Sequence, residues 1–241
     1  MGTPLRRTAA RRAPAAAAAA ELGLLALLQP GPAGWAAGAA HAVISTSALA
    51  AALHRWQTSC GPADLVTLTR SVLAGAVTAL VADRLTAGTS PALLLTALAT
   101  TALVLDGVDG AVARRTGTAS PLGARFDMEV DAYLVLVLSA SVAADLGAWV
   151  LAIGLMRYTF ALAAHLLPRL RAPLPPSRAR KAAAAIQGTA LVAAASGVLA
   201  RPAAAAAVAA ALLVLFWSFG RDITWLHRHA AVRHRAAAEE R

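Results

Sequence analysis

The 241-residue chain is 59% hydrophobic and only 14% charged, and it carries a formal net charge of +10. Soluble domains usually have about a quarter charged residues, so this composition excludes an ordinary soluble domain and predicts one integral membrane domain. The basic residues cluster between apolar segments, which argues against nucleic-acid binding and is typical of cytoplasmic loops that face anionic lipid. The single cysteine, Cys60, excludes an internal disulfide and a cysteine-based zinc site.

The N-terminal part, residues 1–61, is predicted to hold a basic start and one or two extra hydrophobic segments. Four arginines between residues 6 and 12 precede an alanine run, as in a signal peptide, but the apolar sequence downstream favours a retained cytoplasmic N-terminus. Residues 15–29 are short for a membrane span and contain Glu21, so an interfacial helix and a short tilted span both stay open. Residues 33–53 are long enough to cross the membrane.

Residues 62–228 are predicted to form the membrane domain, an all-α polytopic helical bundle of six helices, with a basic cytoplasmic tail at 229–241. The predicted helices cover residues 62–85, 92–113, 121–143, 148–167, 182–200 and 203–220. Asp64 is the predicted N-cap of the first of them, with Thr67 and Arg70 at the same end. The histidines of the tail form no convincing metal constellation, so a solvated tail is the preferred interpretation.

Four carboxylates surround the junction of two predicted helices: Asp106 and Asp109 are three residues apart, and Asp127 and Asp131 are four apart. On helices each pair shares one face, so two helices joined by the turn between them would direct all four groups into one space. Carboxylates in apolar surroundings are costly unless they meet cations. Oxygen ligands suit hard divalent ions such as Mg²⁺, so the pattern predicts a metal site.

The same stretch carries a longer motif, D-x2-D-G-x2-A-R-x8-G-x3-D-x3-D. Its fixed positions are Asp106, Asp109, Gly110, Ala113, Arg114, Gly123, Asp127 and Asp131. These residues resemble, without gap or mismatch, the signature of the CDP-alcohol phosphatidyltransferase family. The resemblance implies a six-helix membrane enzyme that transfers a phosphatidyl-type group from a CDP-alcohol to an acceptor alcohol and releases CMP. The expected donor is CDP-diacylglycerol, although a soluble CDP-alcohol donating to diacylglycerol stays open, as does the identity of the acceptor.

The resemblance also implies roles for the carboxylates. Asp106 and Asp127 are expected to bridge two divalent ions, Mg²⁺ or Mn²⁺, with Asp109 on one ion and Asp131 on the other. Two such ions can bridge a pyrophosphate and stabilise the leaving group. Asp131 is further implied to be the general base that takes the proton of the acceptor hydroxyl. A role for Asp131 as a ligand alone stays open.

Other candidate site residues have a structural alternative beside the functional one. The resemblance implies that the nucleotide contacts Asp64, Thr67, Gly110, Ala113, Arg114, Ser120 and Gly123. Helix capping, close helix packing and charge anchoring at the membrane surface are the alternatives for these residues. For the acceptor, the candidates are Arg157, Arg178 and Lys181. Arg157 lies inside an apolar span, where an arginine usually faces a cavity or a partner, whereas loop anchoring is the alternative for the other two.

The distribution of basic residues predicts the orientation. If each apolar segment crosses the membrane, the main basic clusters lie on one side and chiefly Arg84 and Arg201 on the other. By the positive-inside rule, the carboxylate site and the C-terminus face the cytoplasm, and the expected location is the plasma membrane. The oligomeric state stays open, a homodimer included. A transporter that uses the aspartates as an ion site is the alternative function, but the inverted repeats typical of transporters are absent from the sequence.

Overall fold

The computed structural model describes residues 4–56, 61–88, 91–116, 120–167 and 177–239, without the side chains of residues 4–12, 62, 108–116 and 227–239. Within these ranges every secondary-structure element is a helix, which confirms the predicted all-α fold. The helices are α1 (Pro4–Leu28), α2 (Pro32–Trp56), α3 (Pro62–Ala87), α4 (Ala92–Thr116), α5 (Pro121–Leu146), α6 (Leu151–Leu166), α7 (Arg178–Ala195) and α8 (Arg201–Glu239), with a 3-10 turn at Ala148–Val150.

Local sequence explains where α3 begins and ends. Proline is favoured at the first helical position because its missing N–H would be unpaired there anyway, so Pro62 places the N-cap at Gly61. The prediction that Asp64 is the N-cap is therefore wrong. Asp64 lies three residues inside, where its Oδ2 accepts a hydrogen bond of 2.7 Å from the Gly61 N–H. The helix ends at Gly88, whose φ of 68° is a left-handed conformation that glycine adopts without steric cost.

Helix α3 lies at the centre of the bundle and packs against α1, α2, α4 and α5. An apolar stretch of 18 residues in α3 is 67% buried inside the protein, whereas the corresponding stretch of α2 is 17% buried. The core is formed by small and branched apolar residues of α3, α4, α5, α7 and α8, among them Val77, Ala99, Leu138, Leu191 and Val208. Small residues let membrane helices approach closely, which suits the alanine-rich composition.

Four described helices are long and apolar enough to cross a membrane: α2, most of α3, the segment Ala148–Leu166, and Arg201–Leu226 of α8. Two shorter apolar helical stretches, Ala13–Leu28 and Ala92–Gly107, accompany them. Helix α4 loses its apolar character where the acidic motif begins, and α5 contains that motif near its start. Polar residues at membrane depth are tolerated where they face protein or a cavity instead of lipid.

Two buried carboxylates hold the α1–α2 hairpin: Asp83 joins it to α3, and Glu21 joins α1 to α2. Asp83 of α3 accepts hydrogen bonds from the backbone N–H groups of Gly31, at 2.6 Å, and Gly34, at 2.7 Å, so it caps the start of α2. Glu21 is 1% exposed and lies 2.7 Å from Nδ1 of His41. The hairpin is therefore bound to α3 by the two hydrogen bonds of Asp83 as well as by apolar packing.

The helices at both ends of the chain are longer than the apolar segments predicted. Helix α1 begins at Pro4, within the basic start, and α8 continues to Glu239 instead of ending near residue 220. No proline or glycine lies between residues 221 and 239, and alanine and arginine have high helix propensity, so nothing in that segment interrupts the helix. The tail histidines, Cys60 and most of the proline-rich loop, residues 168–176, lie outside the described side chains.

Candidate active site

The site is built around the guanidinium group of Arg70, which is completely buried. Its Nε donates to the Ala102 carbonyl oxygen at 3.1 Å and so fixes the plane of the group. Its Nη1 lies 3.0 Å from Oδ1 of Asp106 and also forms an ion pair with Asp127, while Nη2 forms an ion pair with Asp131. One arginine of α3 therefore joins the acidic residues of α4 to those of α5.

The three carboxylates form a compact oxygen-rich centre. One oxygen from each of Asp106, Asp127 and Asp131 can be chosen so that all lie within 4.8 Å of one another. Three carboxylates and one guanidinium leave a net formal charge of −2, and the carboxylates keep between 33% and 43% of their side-chain surface exposed. Accessible carboxylate oxygens from three residues that share one arginine fit a hard divalent cation. The residues present therefore match the predicted metal site.

The remaining part of the motif is described as backbone only. Helix α4 continues without interruption through Asp109, Gly110, Ala113 and Arg114. Asp109 follows Asp106 by three residues on this helix, so the two lie on the same face. The side chains of these four residues lie outside the described ones, and their predicted contacts with metal and nucleotide stay predictions.

The start of α5 brings together three of the predicted nucleotide contacts. Ser120 is the N-cap, and its Oγ accepts a hydrogen bond of 2.9 Å from the Gly123 N–H. A Cβ atom at position 123 would overlap Oδ1 of Asp64, so the missing side chain lets α3 and α5 approach here. Thr67 is buried one turn after Asp64 on α3. The structure thus places Asp64, Ser120 and Gly123 next to one another, one helical turn before Asp127.

A cavity of about 480 Å³ lies between α5, α6, α7 and α8, and Asp131 forms part of its wall. Arg157 also lines it, with Nη2 donating to Oε1 of Glu129 at 2.7 Å. Arg178 and Lys181, the other predicted acceptor residues, are exposed and do not line this cavity. Arg180, which lies between them in sequence, does line it.

A second cavity, of about 630 Å³, lies on the opposite face of α5, between that helix, α2 and α3. None of the described motif carboxylates lines it. Arg125 and Trp56 both line this cavity, and the guanidinium of Arg125 lies 5.5 Å from the centre of the Trp56 ring. The apolar lining and its separation from the carboxylates set it apart from the candidate active site.

Two groups of residues at the candidate site are not among those that the sequence predicts. The sequence makes a weaker case for a functional Arg70 than for Asp64 and Thr67, although an arginine at the start of a long apolar segment usually has a specific partner. Arg180 and Asp222 were also missed. Asp222 lies in a basic segment that the sequence favours as tail, and only the packing of α7 against α8 places it beside Arg180, at 3.2 Å.

Together, the fold and the site define a polytopic membrane protein with a carboxylate centre between two helices that suits a divalent cation. The family model described as CDP-alcohol phosphatidyltransferase matches residues 61–219, and the chain belongs to that family. No curated protein and no solved structure matches the chain. The matched region begins with α3, so the α1–α2 hairpin lies outside it. Membership confirms the resemblance found in the motif and implies transfer of a phosphatidyl-type group from a CDP-alcohol.

Proposed function

We propose that the protein transfers the phosphatidyl group of CDP-diacylglycerol to the hydroxyl of an acceptor alcohol and releases CMP, at the cytoplasmic face of the plasma membrane. The observation that carries this proposal is the convergence of Asp106, Asp127 and Asp131 on Arg70, which brings the motif residues of two helices to one centre. The lipid-soluble donor would enter from the membrane, and the water-soluble CMP would leave toward the basic loops.

Divalent cations, two Mg²⁺ or Mn²⁺ ions, would be held by Asp106, Asp127 and Asp131 together with Asp109, and would supply charge neutralisation at the attacked phosphorus and the leaving phosphate. Arg70 keeps the carboxylates in place from inside the bundle. Its guanidinium is fully buried and also donates a hydrogen bond to the Ala102 carbonyl oxygen. We therefore assign Arg70 a fixed position that orients the carboxylates, and not a role as a mobile ligand of the substrate.

The nucleotide would lie at the start of α5. Asp64, Ser120 and Gly123 lie together there, and Thr67 is one turn away on α3. Gly110, Ala113 and Arg114 on α4 would complete the slot, with Arg114 beside the diphosphate. The absence of a side chain at Gly123 supports this assignment, because it lets the Asp64 carboxylate lie against the start of α5.

Asp131 is the proposed general base. Of the three described motif carboxylates, it alone lines the cavity between α5, α6, α7 and α8. A hydroxyl held in that cavity can approach the attacked phosphorus and transfer its proton to Asp131. A general base must first lie within hydrogen-bonding reach of the proton that it takes. Arg157, which lines the same cavity, is the proposed acceptor residue. Arg178 and Lys181, which flank Arg180 at the start of α7, are proposed to contribute from outside the cavity.

The test is direct. Purified protein is incubated with CDP-diacylglycerol, Mg²⁺ and a panel of alcohols, and CMP release and the lipid product are followed. We expect CMP release that depends on both the alcohol and the metal, and that stops on addition of a chelator. A parallel assay with a soluble CDP-alcohol and diacylglycerol tests the reverse arrangement of donor and acceptor. CMP release at full rate in metal-free buffer would contradict the assigned role of the carboxylates.

A further inference from the structure

The cavity between α2, α3 and α5, of about 630 Å³, is long and apolar. It follows α2 from Ala37 to Trp56, a distance of about 28 Å at 1.5 Å per residue, which is comparable with the hydrocarbon core of a bilayer. Small side chains of α2 form much of this wall, and Ala40 and Ala48 among them are also exposed on the outer surface of the helix. The cavity is therefore open to lipid and has the shape of a slot for an alkyl chain.

One end of this cavity carries positive charge that has no carboxylate partner. Arg125 and Trp56 line that end, where the guanidinium lies over the indole ring. Within the described part of the chain, neither Arg125 nor Arg55, which precedes Trp56, forms an ion pair, and Glu129 of the same cavity is bound to Arg157. A guanidinium that stacks on an aromatic ring keeps its N–H groups available for a phosphate. Tryptophan and arginine are typical of the head-group level of a membrane.

A buried hydroxyl group lies deeper in the same cavity. Ser71 lines it and is 4% exposed, and no hydrogen-bond partner for its side chain lies among the described residues. Ser71 follows Arg70, which contacts Asp127 and Asp131, so it lies at the depth of these carboxylates. Arg125 lies about four residues, or about 6 Å, before their midpoint along α5. A buried hydroxyl group normally has a partner, and the ester carbonyls of a glycerophospholipid lie at a comparable depth below its phosphate.

We propose that this cavity binds one anionic glycerophospholipid of the membrane, which is not the substrate. The lipid phosphate accepts hydrogen bonds from Arg125, and an ester carbonyl accepts one from the Ser71 hydroxyl. One acyl chain lies along the alanines of α2. The two unpaired arginines at this end of the cavity favour a head group with a net negative charge over a zwitterionic one.

The position of the cavity separates this lipid from the transfer reaction. Phe126, Glu129 and Tyr133 represent the face of α5 that lines the cavity, and Asp127 and Asp131 lie about 150° around the helix from it. A phosphate bound to Arg125 is therefore held away from the carboxylate centre, where the donor diphosphate is proposed to bind. The lipid fills the space between α2 and α5 instead, and so it holds the hairpin against the helix that carries two of the motif aspartates.

Lipid binding can be measured directly, without turnover. Purified protein is delipidated in a neutral detergent with chelator and titrated with phosphatidylglycerol or phosphatidylcholine of the same acyl chains. Native mass spectrometry counts the bound lipids. We expect one phosphatidylglycerol to bind about tenfold more tightly than phosphatidylcholine and to raise the melting temperature. Equal affinity for the two lipids, or no bound lipid, would overturn the inference, whereas the proposed function is tested separately by CMP release.

Variants locate the bound lipid. Arg125→Gln is expected to abolish the preference for phosphatidylglycerol, and Ser71→Ala to weaken binding of both lipids about fivefold, the effect of one hydrogen bond. Ala52→Leu, which fills part of the cavity, should also weaken both. The matched controls are Ala51→Leu and Arg201→Gln, because both residues are exposed and neither lines the cavity. Parent-like binding in the cavity variants, or an equal loss in the controls, would place the lipid elsewhere and refute the proposal.

Competition distinguishes this lipid from the donor. CDP-diacylglycerol is titrated with Mg²⁺ against bound phosphatidylglycerol, and KM for CDP-diacylglycerol is measured for Arg125→Gln. We expect no displacement at donor concentrations that saturate the enzyme, and a KM within about twofold of the parent value. Displacement at those concentrations, or a KM raised about tenfold, would assign the cavity to the donor and make the inference wrong.

Discussion

At the scale of single residues, the site is defined by an imbalance of charge. Arg70 carries one positive charge against three carboxylates, and it is buried while they remain partly exposed. A buried arginine bound to several carboxylates is strongly coupled to them, so removal of either side leaves charges without compensation. The motif therefore depends on a residue that lies thirty-six positions before its first aspartate in the sequence.

Substitution of the aspartates should separate metal binding from proton transfer. Asp106→Asn and Asp127→Asn are expected to lower metal affinity and rate together, because each is proposed to bridge two ions. Asp131→Asn should lower kcat by orders of magnitude while donor binding is largely kept. Metal titration, donor binding and kcat are measured for all three. Near-normal turnover of the Asp131→Asn protein would show that Asp131 is not the base.

Replacement of Arg70 should make folding depend on metal. In Arg70→Met three carboxylates face one another without their buried partner, and we expect a loss of stability of about 3–5 kcal/mol in chelator. Added Mg²⁺ should restore much of it, because a divalent ion offers the compensation that the guanidinium gave. The melting temperature is measured with and without Mg²⁺, with Arg70→Lys as the charge-conserving control. An Arg70→Met protein as stable as the parent in chelator would rule out this role.

At the scale of secondary-structure elements, the site depends on how closely α3, α4 and α5 approach. Gly123 is a position of close contact between α3 and α5 in the proposed nucleotide region, since a Cβ atom there would overlap Asp64. The α1–α2 hairpin depends on Asp83 in a comparable way, because its carboxylate holds the first turn of α2. Each contact predicts a different phenotype.

Gly123→Ala should affect donor binding more than folding. The added methyl group would push Asp64 from its place beside Ser120, and KM for CDP-diacylglycerol should rise about tenfold or more. Overpacking alone would cost about 1–3 kcal/mol of stability. The control is Gly107→Ala on α4, where an added Cβ meets nothing within 4 Å. A lower melting temperature with unchanged KM would make Gly123 a packing residue.

Asp83→Ala should loosen the hairpin. Two backbone N–H groups would lose a charged acceptor, and hydrogen bonds to charged groups contribute about 1.5–3 kcal/mol. We expect a lower melting temperature and faster proteolysis between α1 and α2, with an intermediate effect for Asp83→Asn, which keeps one acceptor oxygen. Unchanged proteolysis in both variants would show that packing alone holds the hairpin.

At the scale of the whole molecule, the distribution of charge predicts the orientation in the membrane. The start of α7, with Arg178, Arg180 and Lys181, lies at the end of the bundle that carries the carboxylate centre, since Arg180 and Asp131 line the same cavity. Arg201 begins α8 after the chain has passed along α7. By the positive-inside rule, the end of the bundle with the carboxylate centre is predicted to face the cytoplasm.

Cysteine labelling should reveal this orientation. In a Cys60→Ser background, single cysteines replace Arg178 or Arg201, both of which are exposed. An impermeant thiol reagent applied to right-side-out vesicles should label position 201 and not 178, and inverted vesicles should give the opposite pattern. Labelling of both positions from the same side would contradict the predicted topology.

Much of the fold and the centre of the site follow from sequence because they depend on local patterns. Long apolar segments must form helices in a membrane, where every backbone polar group needs an internal partner. Spacings of three and four residues place Asp106 with Asp109, and Asp127 with Asp131, on single helix faces. These features need no knowledge of how one helix meets another. The motif therefore indicated both the family and the acidic centre.

Only the tertiary structure decided which faces meet. The inclusion of Arg70 among the carboxylates, the contact of Gly123 with Asp64, and the position of Arg180, instead of Arg178 or Lys181, on the cavity wall all depend on how helices rotate and cross. Spacing along one helix determines which residues share a face, but the packing of side chains between helices determines what that face contacts. The carboxylate centre was readable from the sequence for this reason, whereas its buried arginine and the cavities on the two sides of α5 were not.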